Sequence, residues 1–167
     1  MRKMKADMKK KINRMKDLMD PSQLENKYAS VKIIYKDLDH IDVKFEGQYA
    51  DVIGIGADIY SALVEEIINR EIVNHAIKLG LIYFEPYRNE LVKDAIINFE
   101  IDENSHIKSI FNGNPVALCV AYVQFIDSII EHYNISKLEY LNFIQDNYES
   151  WRKSDKRRVF LDNIKRG

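Results

Sequence analysis

The chain of 167 residues contains a single cysteine and only three prolines. One thiol excludes a disulfide framework and a CxxC metal or redox motif, and its setting in "VALCVAYV" marks Cys119 as a small core residue. Long apolar runs are missing as well. No stretch reaches the roughly 18 to 20 residues of a membrane-spanning helix, and the Lys-rich start never becomes the apolar centre of a signal peptide. The expectation is a cytoplasmic protein without a transmembrane segment. A nucleotide fingerprint is also lacking: Gly54 and Gly56 form a GxG, but Ile59 stands where the third glycine would be required. These glycines are expected inside a helix, where they let another element pack closely. No HExxH-like pattern and no second histidine completes a metal set around Glu71 and His75, so neither cofactor nor metal is expected. That pair is nevertheless the best candidate for an enzyme of unknown reaction, the least favoured functional class.

What the chain does have is enough apolar residues, 46%, for one folded core. It also has charge segregated along its length. The net charge of -1 conceals two basic ends: residues 1 to 20 carry eight Lys/Arg against three acids, and residues 151 to 167 carry seven against two. Between them, ten cations face twenty-one acids. Segregation of this kind points to interaction arms or faces.

The N-terminal stretch places Met4, Met8, Ile12, Met15 and Met19 on one stripe among lysines, the pattern of a basic amphipathic helix, which Asp20-Pro21 should stop. Met1, Met4, Met8, Met15 and Leu18 also fit a short heptad seam, a route to a homo-oligomer. Two alternating runs follow, Val31, Ile33, Tyr35 and Ile41, Val43, Phe45, joined by "KDLDH"; they predict a β-hairpin. Then the period changes to that of a helix, with Val52, Ile55, Ile59 and Leu63 on one face.

The same pattern returns sixty-six residues later. Ile97, Phe99 and Ile101 stand for the first strand, Ile107 and Phe111 for the second, and Leu118, Ala121, Phe125 and Ile129 for the helix. His40, Ile41, Phe45, Gly47 and Glu65 recur as His106, Ile107, Phe111, Gly113 and Glu131, five identities in thirty-seven ungapped columns. Asn114-Pro115 supplies a helix start, Ser136 with Glu139 a capping box, Gly80 a helix end, and Pro86 the start of a further helix.

The fold class expected is α+β: two related hairpin-helix units whose four strands join in one antiparallel sheet, plus the basic amphipathic helix. A mainly helical chain with two small hairpins is the alternative. The organisation is a helical arm (1–20), a linker (21–30), one domain with an internal duplication (31–151, in halves 31–95 and 96–151) and a basic tail (152–167) that extends the last helix or frays.

Function is read as non-enzymatic binding of another protein. Asp37, Asp39, Asp42 and Glu46 cluster on the first hairpin as an acidic surface for a basic partner. The alternative is nucleic-acid binding through Lys9, Lys10, Lys11 and Arg14 at one end and Arg152, Lys153, Lys156, Arg157 and Arg158 at the other. Richness in Lys, Ile, Asn and Tyr resembles chains of AT-rich genomes, which is compatible with a phage or mobile-element accessory factor such as an inhibitor of a host protein. His40 and His106, at equivalent positions, read as turn residues, or else as a titratable couple across a pseudo-twofold axis.

Overall fold

The structure is a computed structural model and describes residues 28–90, 93–104 and 106–153, together with the backbone of 164–166. The elements run β1 (Ala29–Asp37), β2 (His40–Glu46), α1 (Tyr49–Glu66), α2 (Arg70–Leu79), a 3-10 segment (Gly80–Glu90), β3 (Ala95–Ile101), β4 (Ile107–Asn112), α3 (Pro115–Tyr133), α4 (Lys137–Arg152) and β5 (Ile164–Arg166). Strands β1 to β4 form the expected four-stranded antiparallel sheet, in the order β2-β1-β3-β4, and the three-residue β5 lies parallel to β4 on its outer side. The expected N-terminal arm and its heptad seam fall outside the described residues.

Alternation sets the two faces of the sheet. Val31, Ile33 and Tyr35 of β1, with Ile97 and Phe99 of β3, are buried beneath α1 and α3. Lys32, Lys36, Lys44 and Lys108 stand on the other face, exposed. Helix α3 is the only described one long and apolar enough to cross a membrane. Ten of its residues are buried against the sheet and the other helices, which makes it the core helix of this domain.

The two hairpin-helix units share their strand register. Ile33 pairs with Val43 in the first hairpin, and their counterparts sixty-six residues on, Phe99 and Ser109, pair in the second. Both helices begin two residues after a glycine of positive φ, Gly47 (121°) and Gly113 (132°). At each, an added Cβ would press on the counterpart alanine, 2.8 Å from Ala29 Cβ and 2.5 Å from Ala95 Cβ. A pseudo-twofold axis relates the units. It passes through the sheet where Lys32 pairs with Asn98, and through the helix layer where the Tyr122 hydroxyl donates to the Gly56 carbonyl at 2.7 Å. Each of these is a pair of counterparts.

On such an axis a residue meets its own equivalent, and two tyrosines cannot share that space; a glycine opposite a tyrosine resolves the conflict. Gly56 thus serves the close packing expected of it, with the Tyr140 hydroxyl and the Phe125 ring lying where a side chain would be. Gly54, by contrast, faces open space. The second helices are exchanged: among the α-helices, α2 packs chiefly on α3, and α4 chiefly on α1.

Helix starts follow the capping chemistry. Asn114 accepts from Ala117 N–H at 2.8 Å, Ser136 from Glu139 N–H at 3.3 Å, and Asn69 from Glu71 N–H at 2.8 Å. Two expectations are corrected. No helix starts at Pro86: the chain turns at Gly80 (φ 78°) straight into the 3-10 segment, which contains Pro86 and buries Phe84. A proline offers no N–H for an α-helical bond, and it disfavours helical geometry in the residue before it. The tail does not simply extend α4, which ends at Arg152; residues 164–166 return to the sheet as β5.

Candidate protein-binding surface

The four acids of the first hairpin are spread along it, Asp37 and Asp39 at the turn, Asp42 in β2 and Glu46 at its far end, and three of them have nearby basic groups. Asp37 Oδ1 lies 2.8 Å from His40 Nδ1 and also accepts from the backbone N–H of Asp39, so the histidine hydrogen bond holds its carboxyl below the usual range. Asp39 accepts from Arg88 at 2.8 Å, a guanidinium that also grips Glu85 and so ties the hairpin turn to the 3-10 segment. Asp42 lies 3.7 Å from Lys44 on the open face of β2, and Glu46 is exposed at the end of that strand. All these pairs are largely solvent-exposed, where an ion pair contributes little to stability.

The hairpin is therefore charged in alternation rather than uniformly acidic. Strands β1 to β4 together carry four cations and four acids. The acid excess lies in the helix layer, where α1 to α4 hold ten acids against four cations.

The two histidines do not form a couple. Strands β1 and β3 are antiparallel, with Ala29 opposite Ile101 and Tyr35 opposite Ala95, so the two hairpin turns sit at opposite ends of the sheet. Each histidine instead pairs with an aspartate of its own turn, His40 with Asp37 and His106 with Asp102, the latter at 3.3 Å. Glu71 and His75 are exposed on α2 with no bond between them. No group of His, Cys, Asp and Glu among the described residues could hold a metal ion. Cys119 is a buried core thiol, pushed up to about 12 by that burial.

Of the basic candidates, Arg152 and Lys153 stand exposed at the end of α4, while Lys9, Lys10, Lys11, Arg14, Lys156, Arg157 and Arg158 lie outside the described residues. Interior polar groups serve the helix packing. Tyr60, Arg70, Asn74 and Gln145 form a closed set in which Gln145 donates to the Tyr60 hydroxyl at 2.8 Å and to Asn74 at 2.9 Å, while Arg70 reaches Glu149 at 2.9 Å. Asp58, part-buried in α1, has no such partner among the described residues, and burial pushes its carboxyl up to about 7.

Edge position distinguishes β2 from the other strands of the four-stranded sheet. Among the described residues no strand pairs with its outer side, whereas β4, its counterpart, carries β5. Its helix-side residues Ile41, Val43 and Phe45 are only part-buried, although Phe45 leans on the ring of His132 at 5.1 Å. Of their counterparts on β4, Ser109 and Phe111 are buried and Ile107 is part-buried. Edge status follows from strand order, which no local pattern in the sequence reveals. Comparison with protein-family models, curated proteins and solved structures finds no match.

Proposed function

We propose that the protein is a non-enzymatic binding module that engages another protein chain through its first hairpin, with the outer edge of β2 as the contact. The observation that carries this reading is that edge: a row of backbone donors and acceptors without a described partner, flanked by exposed charges and by apolar side chains left part-buried. An extended segment added there continues the sheet through main-chain hydrogen bonds, and its side chains read the alternating charges.

The test is affinity capture with the full chain and with the D42K/E46K variant, whose fold is checked by circular dichroism. A partner held by the parent chain and lost by the variant supports the reading; an identical set of retained proteins overturns it. Steeply salt-dependent binding of random-sequence nucleic acid, weakened by substituting Arg152 and Lys153, would instead move the function to the basic segments.

A further inference from the structure

We infer that the edge of β2 pairs antiparallel with the β2 edge of a second copy of this chain, across a twofold axis at Val43. The inference rests on the reading of that edge as a protein-binding strand, and it names the partner.

The argument is one of register. In an isologous antiparallel pair the residue numbers facing each other have a constant sum. Centred on Val43, the strand "HIDVKFE" sets His40 opposite Glu46 of the second copy, Ile41 opposite Phe45, Asp42 opposite Lys44, and Val43 opposite itself. Each unlike pair occurs twice by symmetry. On the open face every facing pair joins an acid to a basic side chain; on the helix side every pair is apolar. The part-buried Ile41, Val43 and Phe45 would then lose solvent access, which brings Val43 and Phe45 to the burial of their β4 counterparts Ser109 and Phe111.

Neighbouring registers fail. Centring on Asp42 opposes two aspartates and sets His40 against Lys44; centring on Lys44 opposes two lysines and sets Asp42 against Glu46. Shifts by one residue put the charged face of one strand over the apolar face of the other, because side chains alternate with period two. Charges on an edge strand ordinarily keep chains from pairing. Here their order admits one pairing and rejects its neighbours. The counterpart strand lacks this property: about Ser109, Lys108 would face Ile110 and His106 would face Asn112.

The experiment is sedimentation velocity over a concentration series for the full chain, for the single variants D42K and K44D, and for an equimolar mixture of the two. The parent chain should dimerise. Each variant brings like charges together on both sides of the axis and should dimerise at least tenfold more weakly. In the mixture, the lysine introduced by D42K faces the aspartate introduced by K44D, and the retained Lys44 of the first chain faces the retained Asp42 of the second. The dimer should therefore return as a heterodimer. A loss of fold in either variant could not produce that recovery. Variants that dimerise like the parent, or a mixture that stays monomeric, would overturn the inference. A parent chain monomeric at every concentration would also overturn it. If D42K/E46K then still lost a captured protein, only the second copy would be removed as occupant; with unchanged capture the binding role of the edge would fall as well.

Discussion

The first and second hairpin-helix units share strand register, helix start and the glycine before each helix, yet their outer edges differ. Strand β4 holds Lys108, Ser109 and Ile110, buries Ser109 and carries β5; strand β2 holds Asp42, Val43 and Lys44, leaves Val43 part-buried and has no described neighbour on its outer side. Identity between the units falls on three positions of these outer strands, His40, Ile41 and Phe45, and on Gly47 before the helix, so the difference is confined to the centre of each strand. There Asp42, Val43 and Lys44 stand against Lys108, Ser109 and Ile110.

The largest effect should come from breaking what the units share. Gly47 and Gly113 combine a positive φ with a close approach to Ala29 and Ala95, so a side chain there is strained in backbone and in packing. G47A and G113A should each lower stability by about 3 kcal/mol, the sum of an unfavourable φ and local overpacking. Urea unfolding of both variants measures it. Equal losses would support structural equivalence; a loss at one site alone would show that the units are not matched there.

Much of this correspondence was legible in the sequence, because it is local. Period-two runs, the helical stripes, Asn114-Pro115 and Ser136 with Glu139 lie within short windows, and the sixty-six-residue offset aligned Gly47 with Gly113 before any contact was known. What escaped depends on residues distant in the chain. The β1–β3 pairing, the exchange of α2 and α4 and the Arg88–Asp39 bridge across forty-nine residues leave no local pattern. Three residues of β5 are too short to show alternation. The acidic quartet was visible, whereas the contact of Asp42 with Lys44 on the open face of β2 follows from the alternating charge order His-Asp-Lys-Glu along the strand.

A smaller effect sharpens the comparison in the helix layer, where Asp58 of α1 corresponds to Gln124 of α3. Burial lifts the Asp58 carboxyl to about 7, so the fold favours its protonated form. Below the unfolded pKa near 4 both states are protonated and stability is unaffected. As pH rises toward 7 only the unfolded chain ionises, and stability falls to a plateau above 7. D58N should therefore be more stable than the parent at pH 8 by on the order of 2 kcal/mol, discounted for partial solvent access, and nearly equal at pH 4. Denaturant midpoints at the two pH values measure this. A gap of the same size at both would trace to packing rather than ionisation.

The smallest effect lies at the edge itself. Ser109 is buried in β4 opposite Phe99, and its hydroxyl has no hydrogen-bond partner among the described residues, while its counterpart on β2 is Val43. A buried hydroxyl left unsatisfied carries a desolvation cost that an apolar side chain does not. S109V, which gives the second unit the residue of the first, should raise stability by about 1 kcal/mol, read from the denaturant midpoint at constant m-value. S109A separates the contributions, since it removes the hydroxyl without filling the space with a branched side chain. If both variants gain, the hydroxyl is the cause; if only S109V gains, packing against Phe99 is. A loss in both would show that serine is favoured on β4 for the strand it carries, and that the two edges differ in their interior as well as in their charges.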